Sequence, residues 1–409
     1  MNNTPRSNRL HIAILGRRNV GKSSLINAIT NQNIAIVSDV SGTTTDPVSK
    51  SMELHPLGPV VIIDTAGLDD EGELGNLRIE KTNEVLRKTN IAILVIDSLD
   101  GITNFELDIL KELKLKSIPT IGVINKIDIK DFSQEDFEGL RNKINIPLLK
   151  VSSQKKEGIE PLKKIIGDNA LCLKENNTLV GDLINPGDFV VLVTPIDKAA
   201  PKGRLILPQQ QTIRDIIDKD AMAIITKEHE LKETFDNLRK KPSLVITDSQ
   251  AFVKVVADTP TDIKMTSFSI LFARYKANLV DMIRGIKTLE NLKPGSKILI
   301  VEGCTHHRQS DDIGTVKIPR WIRQIVGGEV SFEHLSGFSF TQNIESYDLV
   351  IHCGGCMLNK QEMQYRMNYS KDKNVNITNY GMLIAYVQGV LPRALELFPE
   401  AKIILEDEI

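Results

Sequence analysis

Short apolar runs alternate with amphipathic stretches along nearly the whole chain, and the pattern falls into three segments. From Arg9 to about Leu171, the runs LHIAIL, VVIID, IAILVID, TIGVIN and PLLKVSS read as strands. Helix-like segments separate them, which predicts parallel strands joined by right-handed crossovers. LKENNTLVGDLINPGD, residues 173–188, is polar and turn-rich and reads as a linker. A second alternation runs through FVVLVT, a Gln-rich amphipathic stretch, AMAIIT, a charged helix and SLVITD, ending near DTPTDIK at 258–264. The third segment predicts one long helix around Phe272–Leu289, then the strand SKILIVEG and a helix centred on Trp321. The strand YDLVIHCGG and two further helices complete it. All three segments read as α/β.

Composition narrows this picture only a little. At 409 residues the chain is too long for one hydrophobic core, so two or three domains are expected. A formal net charge of -2 gives no general attraction to nucleic acid. The opening MNNTPRSNRL has no signal-peptide stretch, and no apolar run approaches the roughly 20 residues of a membrane span. Four cysteines do not make a disulfide framework in a chain of this length. A cytoplasmic protein without membrane or nucleic-acid contacts is the expectation.

The first segment carries linked guanine-nucleotide motifs. GRRNVGKS, residues 16–23, fits the phosphate-loop pattern through Gly16, Gly21, Lys22 and Ser23, and it lies between a strand and the helical KSSLINAI. Backbone N–H groups from Asn19, Val20, Gly21 and Ser24 can cradle phosphates at a positive helix end. Lys22 is expected to neutralise the β- and γ-phosphates, and Ser23 to ligate Mg²⁺. DTAG, 64–67, offers Asp64 to Mg²⁺ through water and the Gly67 amide to the γ-phosphate. SGTTTD, 41–46, offers Thr44 as a switch threonine for Mg²⁺. NKID, 125–128, supplies Asn125, Lys126 and Asp128, whose carboxylate would accept from the N1 and amino groups of guanine. Adenine lacks that pair of donors and would leave the carboxylate unpaired. SSQ, 152–154, places Ser152 and Ser153 behind the base. Strand-end positions of this kind predict one crevice outside the carboxyl edge of a sheet.

Two details bear on turnover. Leu68 stands where Ras-type GTPases carry a water-orienting glutamine, so intrinsic hydrolysis is expected to be slow. GRRNVGKS with SGTTTD resembles the Era and MnmE branch of GTPases, in which an asparagine at the place of Asn19 ligates K⁺. There K⁺ supplies charge to the phosphates as an arginine finger would. The plainer role for Asn19 is a loop-stiffening hydrogen bond.

The third segment carries a different chemistry. Cys353 and Cys356 form a C-x-x-C pair, with Cys304 well upstream in VEGCTHHR. A redox pair, zinc ligands and iron–sulfur ligands all fit a C-x-x-C. The redox reading wants a helix start after the first cysteine and leaves Cys304 unexplained. Zinc with three cysteines and a histidine satisfies a four-coordinate site. A [4Fe–4S] cluster would have three thiolates and one weak or exchangeable ligand, because Cys172 reads as a small, partly buried hydrophobe. His306 and His352 flank the cysteines as candidate ligands or donors to them, and His307 is less suited. His11, His55, His229 and His334 read as structural or surface residues. Trp321 and the Met and aromatic residues of MQYRMNY read as packing a core or an interface.

C-T-H at 304–306 followed by H-C-G-G-C at 352–356 resembles the C-x-H…H-C-x-x-C signature of HydF, the [FeFe]-hydrogenase maturation GTPases. The gap from His306 to His352 is at or slightly under that family's usual range. The resemblance covers essentially the whole chain. It implies a P-loop GTPase domain with a parallel sheet at 1–172, an α/β dimerisation domain at 173–262 and an α/β cluster-binding domain at 263–409. It implies a [4Fe–4S] cluster on Cys304, Cys353 and Cys356, with His306, His307 and His352 as candidates for the fourth place. GTP/GDP, Mg²⁺ and K⁺ are the other implied cofactors, and a homodimer the implied assembly. The implied role is a scaffold that receives a di-iron precursor of the hydrogenase H-cluster and delivers it to apo-hydrogenase, with radical-SAM maturases as further partners. The competing expectation is an RNA- or ribosome-associated GTPase with a structural zinc site. Such a protein should show a basic, aromatic-laced accessory surface. The densest basic patch is LRKKP at 238–242, which reads as a solvated helix end.

Overall fold

A computed structural model describes residues 5–31, 48–55, 57–65, 75–130, 132–175, 178–195, 205–303, 312–336, 340 and 343–407. The chain divides into two compact units, Met1–Asn176 and Asn177–Ile409.

Among the described residues of the first unit, six strands form one sheet: β1 (Leu10–Leu15), β2 (Val48–Leu54), β3 (Gly58–Asp64), β4 (Ile91–Asp97), β5 (Thr120–Asn125) and β6 (Leu148–Lys150). Their order is β2-β3-β1-β4-β5-β6. The five strands expected from the apolar runs are all present and pair in parallel. β2 is the addition. It pairs antiparallel with β3, in register from Val48↔Asp64 to Leu54↔Gly58. Its sequence, VSKSMEL, is too polar to announce a buried strand, which suits a sheet edge.

Alternation along the central strands separates two apolar layers. Ile12, Ile14 and Ile93 face Leu25, Ile26 and Ile29 of helix Lys22–Thr30 and Leu162 and Ile166 of helix Ile159–Glu175. Ala13, Leu15 and Leu94 face Leu110, Leu113 and Leu140 from helices Asn104–Leu115 and Gln134–Ile144. With both faces covered, β4 is buried at every position. Cys172, expected to be partly buried, is exposed on helix Ile159–Glu175 and packs into neither layer.

The second unit holds two four-stranded, all-parallel sheets among its described residues. The first comprises β7 (Phe189–Val193), β8 (Met222–Thr226), β9 (Leu244–Thr247) and β10 (Lys264–Ser267), in the order β10-β9-β7-β8. The second comprises β11 (Lys297–Glu302), β12 (Ser331–Ser336), β13 (Leu349–His352) and β14 (Asn376–Asn379), in the order β12-β11-β13-β14. One apolar core serves both, joining Val190 and Ile246 to Ile298, Ile300 and Ile351 through helix residues such as Phe272, Met282 and Ile286.

Several expectations need correction here. The single long helix over 272–289 is two helices, Phe268–Lys276 and Leu279–Asn291. The break is an extended Ala277, after which Asn278 caps the second helix by accepting from the Asp281 amide. Four helices, not two, follow β13, and β14 lies among them. β10 and β14 were not expected because their polar residues hide them. Ser267 and Asn379 end these strands and cap the next helices, so a single side chain closes one element and opens another. The expected boundary at 262/263 falls just before β10, which pairs with β9 in the first of the two sheets. The Trp321-centred helix, Ile318–Val326, is present and is preceded by a π-helical turn at Ile313–Lys317. No described helix is long and apolar enough to cross a membrane.

Candidate functional site

The phosphate-loop residues, Asp64, Asn125 and the SSQ loop gather at the carboxyl ends of β1, β3, β5 and β6. Gly16 has φ +144°, and a Cβ there would lie 2.5 Å from the Val95 carbonyl oxygen. Gly21 has φ +90°, and its Cβ would lie 2.4 Å from Asn125 Nδ2. Neither position accepts a side chain, so the loop can be this tight only as glycine. Lys22 Nζ donates to the carbonyls of Gly16 (2.5 Å) and Arg17 (2.7 Å), which keeps the ammonium within the loop. Ser23 Oγ donates to Asp64 Oδ2 at 3.3 Å, so the two expected Mg²⁺ residues sit side by side.

Asn125 braces the crevice. Its Nδ2 donates to the Val20 carbonyl at 2.9 Å, and its Oδ1 accepts from the Ser153 amide (3.1 Å) and hydroxyl (2.8 Å). Phosphate loop and base loop are therefore one hydrogen-bonded unit. Ser152 Oγ donates to Asp128 Oδ1 at 2.6 Å, and this bond chiefly holds the Asp128 carboxyl below its ordinary range. An ionised Asp128 is the acceptor that guanine recognition needs. Lys126 adopts φ +67° and pairs with Asp97 at 2.7 Å. Asn19 is exposed with φ +63°, a left-handed conformation that asparagine tolerates better than most residues. Ser24 is exposed on the first turn of helix Lys22–Thr30. Thr44 and Gly67, and Leu68 beside it, lie outside the described residues.

Sequence reasoning missed Asp97 and Glu106. Glu106 is fully buried, accepts from Arg17 Nε at 2.8 Å and completes a capping box with Thr103. The T-x-x-E pattern at 103–106 was a signal for the cap, though not for its hold on the phosphate loop.

The cysteine hairpin sits at the carboxyl end of the second unit's last sheet. β11 and β13 are paired neighbours, with Val301 opposite His352. That pairing brings Gly303, the residue before Cys304, against the C-x-x-C: the Gly303 amide donates to Cys353 Sγ at 3.1 Å. The Gly355 amide donates to the same sulfur at 3.4 Å. Cys353 and Cys356 are both half-buried. Amide donors and partial burial suit a thiolate that binds a soft metal or cluster, so this donor set fits the iron–sulfur group the sequence implies. Cys304, His306 and His307 lie outside the described residues. Among the described residues no three His, Cys, Asp or Glu side chains converge as a metal site.

His352 is not poised to be a ligand. It is fully buried, its Nδ1 donates to the Cys353 carbonyl at 2.7 Å, and its Nε2 accepts from Arg366 at 2.9 Å. Burial and then the Arg366 guanidinium push its pKa down to about 3, so the ring is neutral with both nitrogens engaged. Arg366, also fully buried, pairs with Glu362 at 3.1 Å and stacks over Phe340. The MQYRMNY stretch, whose Met and aromatic residues were expected to pack, thus also supplies the group that orients His352. Lys276 was missed altogether. Its buried Nζ donates to the carbonyls of Gly355 (3.0 Å), Cys356 (3.2 Å) and Leu358 (2.7 Å). Burial pulls its pKa down to about 8, with Cys356 and Cys353 opposing. Among the other histidines, His55, His229 and His334 are exposed, and His11 is buried with Nδ1 on the Arg9 carbonyl.

Residues 179–277 match the hydrogen maturase F dimerization domain, and residues 280–397 match the hydrogen maturase F tetramerization domain. This chain belongs to the hydrogen maturase F family. Its residues 11–126 match a model described as a 50S ribosome-binding GTPase. The hydrogen maturase F match over 280–397 contains Cys304, Cys353 and Cys356 under a description that concerns assembly. The first unit is also similar to the tRNA modification GTPase MnmE of Chromobacterium violaceum, 36% identical over 155 residues, 38% of this chain and 33% of that protein. MnmE of Clostridioides difficile is 34% identical over 174 residues, 42% of this chain and 37% of that protein. The chain thus spans about a third of the length of these curated relatives. The G domain of the T. maritima FeoB iron transporter is 27% identical, covers 40% of this chain and 99% of that one, and gives a TM-score of 0.32. A hydrogen maturase F chain therefore joins a GTPase domain to the family's two assembly domains.

Proposed function

We propose that this chain is a GTP-hydrolysing scaffold for assembly of the [FeFe]-hydrogenase H-cluster. Cys304, Cys353 and Cys356 hold a [4Fe–4S] cluster, with His306 or His307 the remaining histidine candidates for its fourth place. The chain carries a di-iron precursor, as cargo, from radical-SAM maturases to apo-hydrogenase, and works in the cytoplasm as a homodimer. When bound, the cluster supplies an iron with one weakly held coordination place. The observation that carries the reading is the Gly303 amide on Cys353 Sγ, which joins the strand leading to Cys304 to the C-x-x-C. The working division is a GTPase domain at 1–172, a dimerisation domain that starts at 173 and takes in β10 at Lys264–Ser267, and a cluster-binding domain after it.

In the first unit, Lys22 holds the β- and γ-phosphates, while Ser23, Thr44 and Asp64 serve Mg²⁺. Asn125 and Asp128 select guanine. Asn19 provides a K⁺ site, and Leu68 cannot orient water, so hydrolysis is slow and rises in K⁺ over Na⁺. The segments at 38–48 and 64–80 act as switches that bias docking of the partner maturases. Loss of nucleotide dependence in partner binding by Lys22→Ala and Thr44→Ala proteins supports this; partner binding indifferent to nucleotide in the parent protein defeats it.

Iron, sulfide and zinc analysis of anaerobically purified protein tests the central claim. About four irons per chain, with a spectrum lost in Cys353→Ala, is the expected result. Stoichiometric zinc without sulfide overturns it and favours a GTPase with a structural zinc site.

A further inference from the structure

Lys276 is the last residue of helix Phe268–Lys276, just before the break at Ala277. Only 3% of it is exposed, and its three carbonyl partners all lie in the C-x-x-C hairpin or just after it. An ammonium has three N–H donors, so these carbonyls satisfy its hydrogen bonding completely. They do not satisfy its charge. No described carboxylate forms an ion pair with Lys276, and the hairpin whose carbonyls it holds carries the thiols of Cys353 and Cys356. The Phe272 ring lies beneath it at 5.3 Å. A buried cation without a carboxylate is strongly disfavoured unless another negative charge compensates it. Among the described residues, the hairpin that it grips is where such a charge can come from, through the thiolates of Cys353 and Cys356.

We propose that Lys276 is the positioning residue and the fixed counter-charge of the cysteine site. This rests on the cluster reading above. A cluster held by thiolates carries net negative charge, and reduction makes that charge more negative. A fixed cation nearby therefore stabilises the reduced form more than the oxidised form and raises the reduction potential. The same three hydrogen bonds hold Gly355, Cys356 and Leu358 in one geometry, so the hairpin is preorganised before it is loaded. Lys276 touches no ligand atom; it acts through the backbone of Cys356 and through its field.

Two substitutions separate these roles. Lys276→Gln keeps two N–H donors and removes the charge, while Lys276→Met removes both. Each full-length protein is reconstituted anaerobically beside the parent, with Trp321 fluorescence and GTP hydrolysis as checks on folding. The midpoint potential is then measured by dithionite titration followed by electron paramagnetic resonance. Both variants are expected to titrate more negatively than the parent by about 59 mV, a tenfold change in a one-electron equilibrium. Lys276→Met should in addition lose iron to a chelator faster than Lys276→Gln. If Lys276→Met does not fold, Lys276→Gln alone carries the potential measurement. A parent cluster whose potential and iron retention are unchanged in the folded variants overturns the role of Lys276. A parent without iron or sulfide overturns the cluster reading instead. If that parent holds zinc, zinc retention against a chelator decides the role of Lys276: about tenfold weaker in both variants supports it, and unchanged retention rejects it.

Discussion

The phosphate loop and the cysteine hairpin are built alike and anchored differently. Each follows a buried parallel strand, and each uses glycine amides near the anionic atoms it is suited to hold. In the first unit the lysine belongs to the loop itself, a neutral amide, Asn125, ties the loop to the base loop, and one buried carboxylate, Glu106, grips Arg17. In the second unit the cation comes from another helix, and the bracing side chains are charged and fully buried: Arg366 and Glu362 behind His352, Lys276 beneath Cys356. A loop that carries its own charge can be written as a short motif. A loop charged from elsewhere depends on the packing of its whole unit. The cysteine site should therefore be far more sensitive to distant substitutions than the nucleotide site.

The largest effect should follow removal of a buried charge. Arg366→Met strands Glu362, 2% exposed, without its cation and leaves His352 Nε2 without its donor. A loss of about 3–5 kcal/mol is expected in the second unit. Trp321, the single tryptophan, lies in that unit, so urea unfolding followed by its fluorescence reads the loss directly. A change below about 1 kcal/mol would mean the buried charges are not the braces described.

Lys22→Ala should act locally. Loss of the ammonium proposed to neutralise the phosphates should reduce GTP turnover by about 10²–10³-fold, equivalent to about 2.7–4 kcal/mol. The Trp321 unfolding midpoint and the content of any metal held by the cysteines should not move. A shift in either would show that the two sites are not independent in stability.

The smallest effect concerns His11, on the first sheet. Burial pushes its pKa from 6.5 down to about 4. The unfolded chain therefore binds the extra proton first. The stability that neutral His11 contributes is complete above its unfolded pKa of 6.5 and is lost progressively as pH falls toward 4. Between pH 7 and pH 5 the first unit should lose about 2 kcal/mol from this group. His11→Gln should flatten that portion of the stability–pH curve, measured by circular dichroism during denaturant unfolding. An unchanged slope would place the acid sensitivity elsewhere.

Legibility in the sequence follows the same division. β1, β3, β4 and β5 were visible because helices cover both faces of the sheet, so each strand must be a short apolar run. β2 was not, because an edge strand can be polar. β10 and β14 were hidden by Ser267 and Asn379, residues chosen for capping and not for strands. Cys172 was misplaced because nothing local distinguishes an exposed helical cysteine from a buried one.

By itself the sequence determined the GTPase architecture and named candidate residues for its loops, since phosphate and guanine recognition require fixed residue types at short spacings. It also singled out the cysteines as candidate ligands, because soft-ligand chemistry has few substitutes. Only the tertiary structure decided how those cysteines are served. Parallel pairing of β11 with β13 turned the Gly303 amide onto Cys353, and packing of two helices turned Lys276 and Arg366 inward. His352 moved from candidate ligand to a neutral, fully paired ring for the same reason. Charge compensation in a protein interior acts between residues that are close in space, and sequence spacing holds no record of that distance.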